Sequence, residues 1–171
     1  MPTSFSESDI MFSFPDEWIP VRYETCAAYK NKMLPLQNTC AIDFLFYHKD
    51  HLVFFEVMRY RKADRIDPGF ISDKVTAQLR DTVCGLAVCQ MLKDPEMAMH
   101  AQALFSHRET RRSHKLILFL EIENASPKLS PEEIKADILQ ALKNRFVRWG
   151  FAVRIHDTRN MADAPWQATV V

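Results

Sequence analysis

Two carboxylates, Asp43 and Glu56, lie in the stretch IDFLFYHKDHLVFFEVMRYR, residues 42–61, among apolar and aromatic side chains. A buried acid is costly unless it is paired, protonated or bound to a cation. Counting outward from a hairpin closed at Lys49 and Asp50, His48 faces His51 and Asp43 faces Glu56; a four-residue loop over His48–His51 keeps the same register. Directly opposed residues of antiparallel strands share a face with Cβ atoms about 4.5–5.5 Å apart, where like charges repel. Several arrangements would relieve the repulsion. An arginine such as Arg22 or Arg80 pairs with one acid, the acids sit at a sheet end in water, or a divalent cation lies between them. Hard cations take carboxylate oxygens, and Mg²⁺ is the first candidate.

The elements that must position these acids follow from the pattern around them. Residues 40–47 and 52–60 are β-branched and aromatic and apolar on nearly both faces, which predicts two strands of a covered sheet. His48 and His51 are read as turn residues. From Ile71 to about Lys93 the spacing of Ile71, Val75, Leu79, Val83 and Leu86 predicts a helix, with Lys74, Gln78 and Asp81 on its polar side and Asp94-Pro95 as its stop. Residues 115–123 predict a central buried strand. Ser130-Pro-Glu-Glu133 combines an N-cap, a first-turn proline and a capping-box glutamate ahead of Ile134, Ile138, Leu142 and Phe146, so a second helix follows, with Gly150 as its stop. Residues 151–156 form a last strand. The expected fold is α/β, a mixed central β-sheet flanked by helices. It forms a single domain over 1–171 with its core at about 40–157. Residues 158–171 read as a C-terminal tail, and 1–37 resist reading because Pro15, Pro20 and Pro35 interrupt any helix there.

Bulk properties exclude several function classes. The chain has 171 residues, 47% of them apolar and 12 of them Phe, enough for a core without staples. Lys plus Arg total 22 and Asp plus Glu total 22, so any polyanion site must be local. The four cysteines form no CxxC pair and the six histidines no HxxxH, which argues against structural zinc and for reduced core thiols. Three glycines leave no Gly-rich phosphate loop. No run of about 18 apolar residues occurs and the N-terminus lacks the basic start of a signal peptide, so a soluble cytoplasmic protein without membrane association is expected.

Asp43, a hairpin, and Glu56 within Val53-Phe-Phe-Glu-Val57 resemble the core of the PD-(D/E)XK superfamily, and FFEVMRYRK is similar to the corresponding strand of small YraN-like members. The likeness is close over about 20 residues and extends in element order over 40–156. It implies a restriction-endonuclease-like fold in which Asp43 and Glu56 hold Mg²⁺ for phosphodiester hydrolysis, with a lysine two residues after the Glu. That position is Met58. A one-residue bulge at Val57 or Met58 would swing Arg59 onto the acid face. Alternatively Lys74 or Gln78 reaches the site from the next helix, or the fold persists without the chemistry.

Basic residues border the same sheet. Arg61, Lys62 and Arg65 follow the second strand, and the run 107–115, with Arg111 and Arg112, precedes the central one. Read as loops, both contact phosphates of DNA or RNA without reading sequence, although Asp64, Asp67 and Glu109 interrupt them. Glu121 and Glu123 are further acids that a strand leaving the core explains equally well. The leading expectation is a Mg²⁺-dependent nuclease, a hydrolase with a degenerate motif. The alternative is an inactive endonuclease-like module that binds nucleic acid or a protein partner, such as a neutralising subunit of a nuclease. A homodimer formed through an exposed sheet edge is the third option.

Overall fold

The structure, a computed structural model, describes residues 3–36, 39–48, 51–62, 66–110, 114–124, 130–161 and 164–170. In chain order its elements are β1 (Thr3–Glu7), β2 (Ile10–Phe14), β3 (Ile19–Arg22), β4 (Phe44–His48), β5 (His51–Tyr60), α1 (Pro68–Met91), α2 (Ala98–Thr110), β6 (His114–Ile122), α3 (Pro131–Phe146), β7 (Phe151–His156) and β8 (Gln167–Val170), with short 3₁₀ and π turns between β3 and β4. A five-stranded mixed sheet has the order β3-β4-β5-β6-β7, antiparallel from β3 to β5 and parallel from β5 to β7. The parallel steps require crossovers, which α1 with α2, and then α3, supply.

Strand alternation divides the core in two. Leu52, Phe54 and Met58 face the helices and pack with Val75 and Leu79 of α1, Ala101 of α2 and Ile134 and Ile138 of α3. Val53, Phe55 and Val57 face the other way, onto a three-stranded antiparallel sheet ordered β1-β2-β8. That second interface is aromatic: Phe12 meets Phe119 edge-on at 5.0 Å between ring centroids, Phe14 lies 4.3 Å from Phe46, and Trp166 lies 4.9 Å from Phe55. Both faces of the central strands are covered, as their near-continuous apolar runs require.

The hairpin keeps the expected register. Phe44 opposes Phe55 and His48 opposes His51, so His48 and His51 form the last rung of the ladder rather than the turn, and the turn residues Lys49 and Asp50 fall outside the described ones. Helix α1 starts at Pro68, earlier than its apolar stripe suggests, because the Asp67 side chain accepts from the Gly69 amide at 2.8 Å. At α3 the Ser130 amide and hydroxyl both donate to Glu133 Oε2 while the Glu133 amide donates to Ser130 Oγ, a complete capping box. Gly150 takes φ 79°, the left-handed conformation that ends such a helix.

Four expectations need correction. Residues 1–37 contain β1, β2 and β3; Pro20 is tolerated because β3 is an edge strand. The presumed C-terminal tail contributes β8, which pairs with β2. Residues 107–110 are not loop but the last turn of α2, whereas Arg65, Arg111 and Arg112 fall outside the described residues. All four cysteines are free, but only Cys26 and Cys89 are buried; Cys84 is exposed on α1. Among the described residues no helix is long and apolar enough to cross a membrane.

Candidate functional site

Extending the β4–β5 register by one rung sets Asp43 opposite Glu56. Glu56 shares the helix-facing side of β5 with Phe54 and Met58 and is 1% exposed, while Asp43 is 9% exposed. Each carboxylate is held by a fixed donor. The Val57 amide donates to Asp43 Oδ2 at 2.8 Å. Gln78, on the third turn of α1, donates from Nε2 to Glu56 Oε1 at 2.8 Å and to the Ala41 carbonyl at 2.9 Å. Its amide therefore ties the strand that holds Glu56 to the backbone just ahead of Asp43.

Lys74, one turn earlier on the same face of α1, places Nζ 3.7 Å from Glu56 Oε1. Its side chain is 46% exposed, so it connects a buried acid to solvent. The arginines considered as partners are engaged elsewhere. Arg22 pairs with Glu7 and Glu24, and Arg80 with Asp81 at 2.8 Å.

Burial pushes both carboxyls above the usual carboxylate range, Asp43 to about 7 and Glu56 to about 8. For Glu56 the charge of Asp43 adds to this rise, and the Gln78 bond and Lys74 oppose it. For Asp43 the charges of Glu7 and Glu24 add to it, while the Val57 amide and Lys74 oppose it. Two such acids titrate as one coupled unit. Glu7 and Glu24 were not legible as neighbours of the site, because both come from the segment whose strands the prolines concealed.

Arg59 does not join the site. The β5–β6 ladder runs without a bulge from Val53–Lys115 to Tyr60–Ile122, so alternation carries Arg59 to the face away from Asp43. There it pairs with Glu123 at 2.6 Å and Asp9 at 3.2 Å and donates to the Ser8 carbonyl. Met58 is 3% exposed and fills core volume. Glu121 accepts from the Thr158 amide and hydroxyl, which accounts for that acid structurally. Arg61 and Lys62 are exposed just beyond β5.

Among the described residues Glu56 Oε2 and Gln78 Oε1, on side chains that are hydrogen-bonded to each other, are buried acceptors without a donor. Orphaned oxygens beside a second carboxylate fit a divalent cation, which satisfies lone pairs and removes like-charge repulsion together. Among the described residues no cluster of three or more His, Cys, Asp or Glu forms a metal cage. Mg²⁺ commonly needs only one or two carboxylates and keeps waters in its remaining positions.

Compared with protein-family models, curated proteins and solved structures, the chain matches none.

Proposed function

We propose that the chain is a PD-(D/E)XK-like, metal-dependent phosphodiesterase acting on nucleic acid, with Asp43 and Glu56 as the metal ligands. The observation that supports this reading is the ammonium of Lys74, 3.7 Å from Glu56 Oε1, a cation beside the acid although position 58 holds Met. On this reading the restriction-endonuclease-like fold has its cation supplied from α1 rather than from β5.

Hydrolysis adds a water oxygen to phosphorus and releases an alcohol as one P–O ester bond breaks. Asp43 and Glu56 would hold the cation, which would supply Lewis acidity and acidify an attacking water. The chain's own residues do the rest. Gln78 fixes the rotamer of Glu56, the Val57 amide fixes that of Asp43, and Lys74 presents positive charge where charge develops on phosphoryl oxygens. The covered sheet keeps bulk water from the acids, which strengthens these interactions.

The test is Mn²⁺ and Mg²⁺ titration by calorimetry, then cleavage of labelled single- and double-stranded oligonucleotides, for wild type, Asp43→Asn and Glu56→Ala. Metal-dependent cleavage that both substitutions abolish is expected. Unchanged ion binding in Glu56→Ala, with no cleavage by wild type, would remove the enzyme. The near-complete burial of Glu56 would then favour a non-catalytic module that binds nucleic acid or protein.

A further inference from the structure

Beyond Glu56, the helix-facing series of β5 continues through Met58 to Tyr60, which packs half-buried against the helix-side core. Alternation and a rise of about 3.3 Å per residue put Tyr60, the last residue of β5, roughly 13 Å past Glu56. A cavity of about 290 Å³ opens there, lined by Arg59, Tyr60, Arg61 and Lys62. It lies just beyond the carboxyl end of β5, where that strand runs parallel to β6.

The lining cations differ in availability. Arg59 is neutralised by Glu123 and Asp9. Arg61 and Lys62 are exposed, and neither has an ion-pair partner among the described residues. The backbone under them is fixed. Asn124 Nδ2 donates to the Arg61 carbonyl at 2.8 Å, and the Glu123 amide donates to the Tyr60 carbonyl at 3.0 Å. An aromatic residue lining the cavity beside two exposed cations matches the composition of single-strand binding grooves, where a base lies on a ring and its phosphate on basic side chains.

From this geometry we infer that the cavity is a nucleotide subsite for single-stranded nucleic acid, with Tyr60 against one base and Arg61 and Lys62 on its phosphate. This rests on the nuclease reading for its choice of ligand and places the bound nucleotide some distance along the strand from the scissile phosphate. Single-strand selectivity follows because the bases of a duplex are stacked on each other and unavailable to Tyr60.

The test uses the full chain and a fluorescein-labelled single-stranded oligodeoxynucleotide, with affinity read by anisotropy in metal-free buffer across a salt series. The variants are Arg61→Ala/Lys62→Ala, Tyr60→Leu, and Lys143→Ala/Arg148→Ala, whose two cations line a separate surface groove on and just after α3. The Arg61/Lys62 pair should weaken binding at least tenfold and flatten the log–log salt slope by about 0.7 per lost contact. Tyr60→Leu should weaken it about tenfold. The α3 variant should bind like wild type. Arg61→Ala/Lys62→Ala changes only exposed side chains and should melt like wild type, so it stays decisive if Tyr60→Leu is destabilised.

No binding by wild type, equal affinity for a duplex of the same length, or equal losses in the α3 variant would overturn the subsite. Failure of the two readings is distinguishable. Arg61/Lys62-dependent binding without metal-dependent cleavage keeps the subsite and removes the nuclease. Metal-dependent cleavage with KM unchanged in Arg61→Ala/Lys62→Ala keeps the nuclease and removes the subsite.

Discussion

Lys74 Nζ stands 3.7 Å from Glu56 Oε1, reached from helix α1 and not from strand β5, which carries Met58 at the position two residues after the acid. The pair joins a side chain that is half in solvent to one that is almost wholly buried. Replacing Lys74 therefore tests chemistry with little structural cost. Lys74→Ala should lower turnover about 10²–10³-fold, the scale of losing one donor to developing charge. Its stability should change by no more than about 1 kcal/mol, as for other partly exposed ion pairs. Lys74→Arg should recover part of the rate, and a rate unaffected by either change would exclude Lys74 from the reaction.

The acid pair also sets a pH dependence. In the folded chain Asp43 and Glu56 hold their protons up to about 7 and about 8, against ordinary values of 3.8 and 4.5. Between those limits the folded state binds more protons than the unfolded one, so the pair's contribution to stability falls as pH rises and levels off above about pH 8. An ion must displace these protons. The Tm increment from millimolar Mn²⁺ should grow from about pH 6 to about pH 8.5, with proton uptake by buffer visible in calorimetry. An increment flat across that range would separate ion binding from these two residues.

Neutralising Glu56 should expose the cost of its charge. Glu56→Gln keeps shape and a hydrogen-bonding group while removing the desolvated carboxylate. It should raise the unfolding free energy of the metal-free protein at about pH 8.5 by on the order of 2 kcal/mol, read as a higher Tm, with a smaller gain at pH 5 and no ion binding at either. A loss of stability at both pH values would show that the acid contributes to folding by itself.

Arg59 gives the converse test. Its guanidinium ties β5 to Glu123 and to Asp9 in the turn after β1, on the face opposite the acids. Arg59→Ala should cost about 1 kcal/mol in urea unfolding and leave cleavage at wild-type rates. A turnover loss exceeding the stability loss would return Arg59 to the reaction.

Gly85 and Tyr23 make a packing prediction. A Cβ added at Gly85 would lie 2.1 Å from Tyr23 Oη, a buried hydroxyl with no hydrogen-bond partner among the described residues, and 3.0 Å from Met33 Cγ. Gly85→Ala should destabilise by about 1–3 kcal/mol. Tyr23→Phe should be neutral or stabilising, because an unsatisfied buried hydroxyl is removed. The double variant should recover most of the loss, a coupling that a double-mutant cycle measures.

The site was legible where its geometry is local. The Asp43–Glu56 register follows from a period of two and a short hairpin closure, both readable from residues 42–61. The role of α1 was harder to read. Gln78 and Asp81 appear among its polar residues, yet both are buried, because Gln78 Nε2 donates to the Ala41 carbonyl and to Glu56, and Asp81 accepts from the Cys40 amide, inside the fold. A polar stripe on a helix does not reveal whether it meets water or another element's acids. The second sheet was illegible for a different reason. β1 and β2 are five residues each; β1 flanks its single aromatic, Phe5, with the exposed Ser4 and Ser6, β2 carries an exposed Met11, and β2 finds its other partner in β8 at the far end of the sequence. Such pairing leaves no local signature.

That long-range pairing has a consequence in time. β2 and β8 are separated by most of the chain, so at about 5–20 residues per second a ribosome makes β8 roughly 8–30 s after β2. Until then Trp166 cannot cover Phe12, Phe14, Phe55 and Phe119, and one edge of β2 stays open. The nascent protein thus carries an aromatic surface beside an unpaired strand during its own synthesis, and holding factors that bind emerging chains would find their target there.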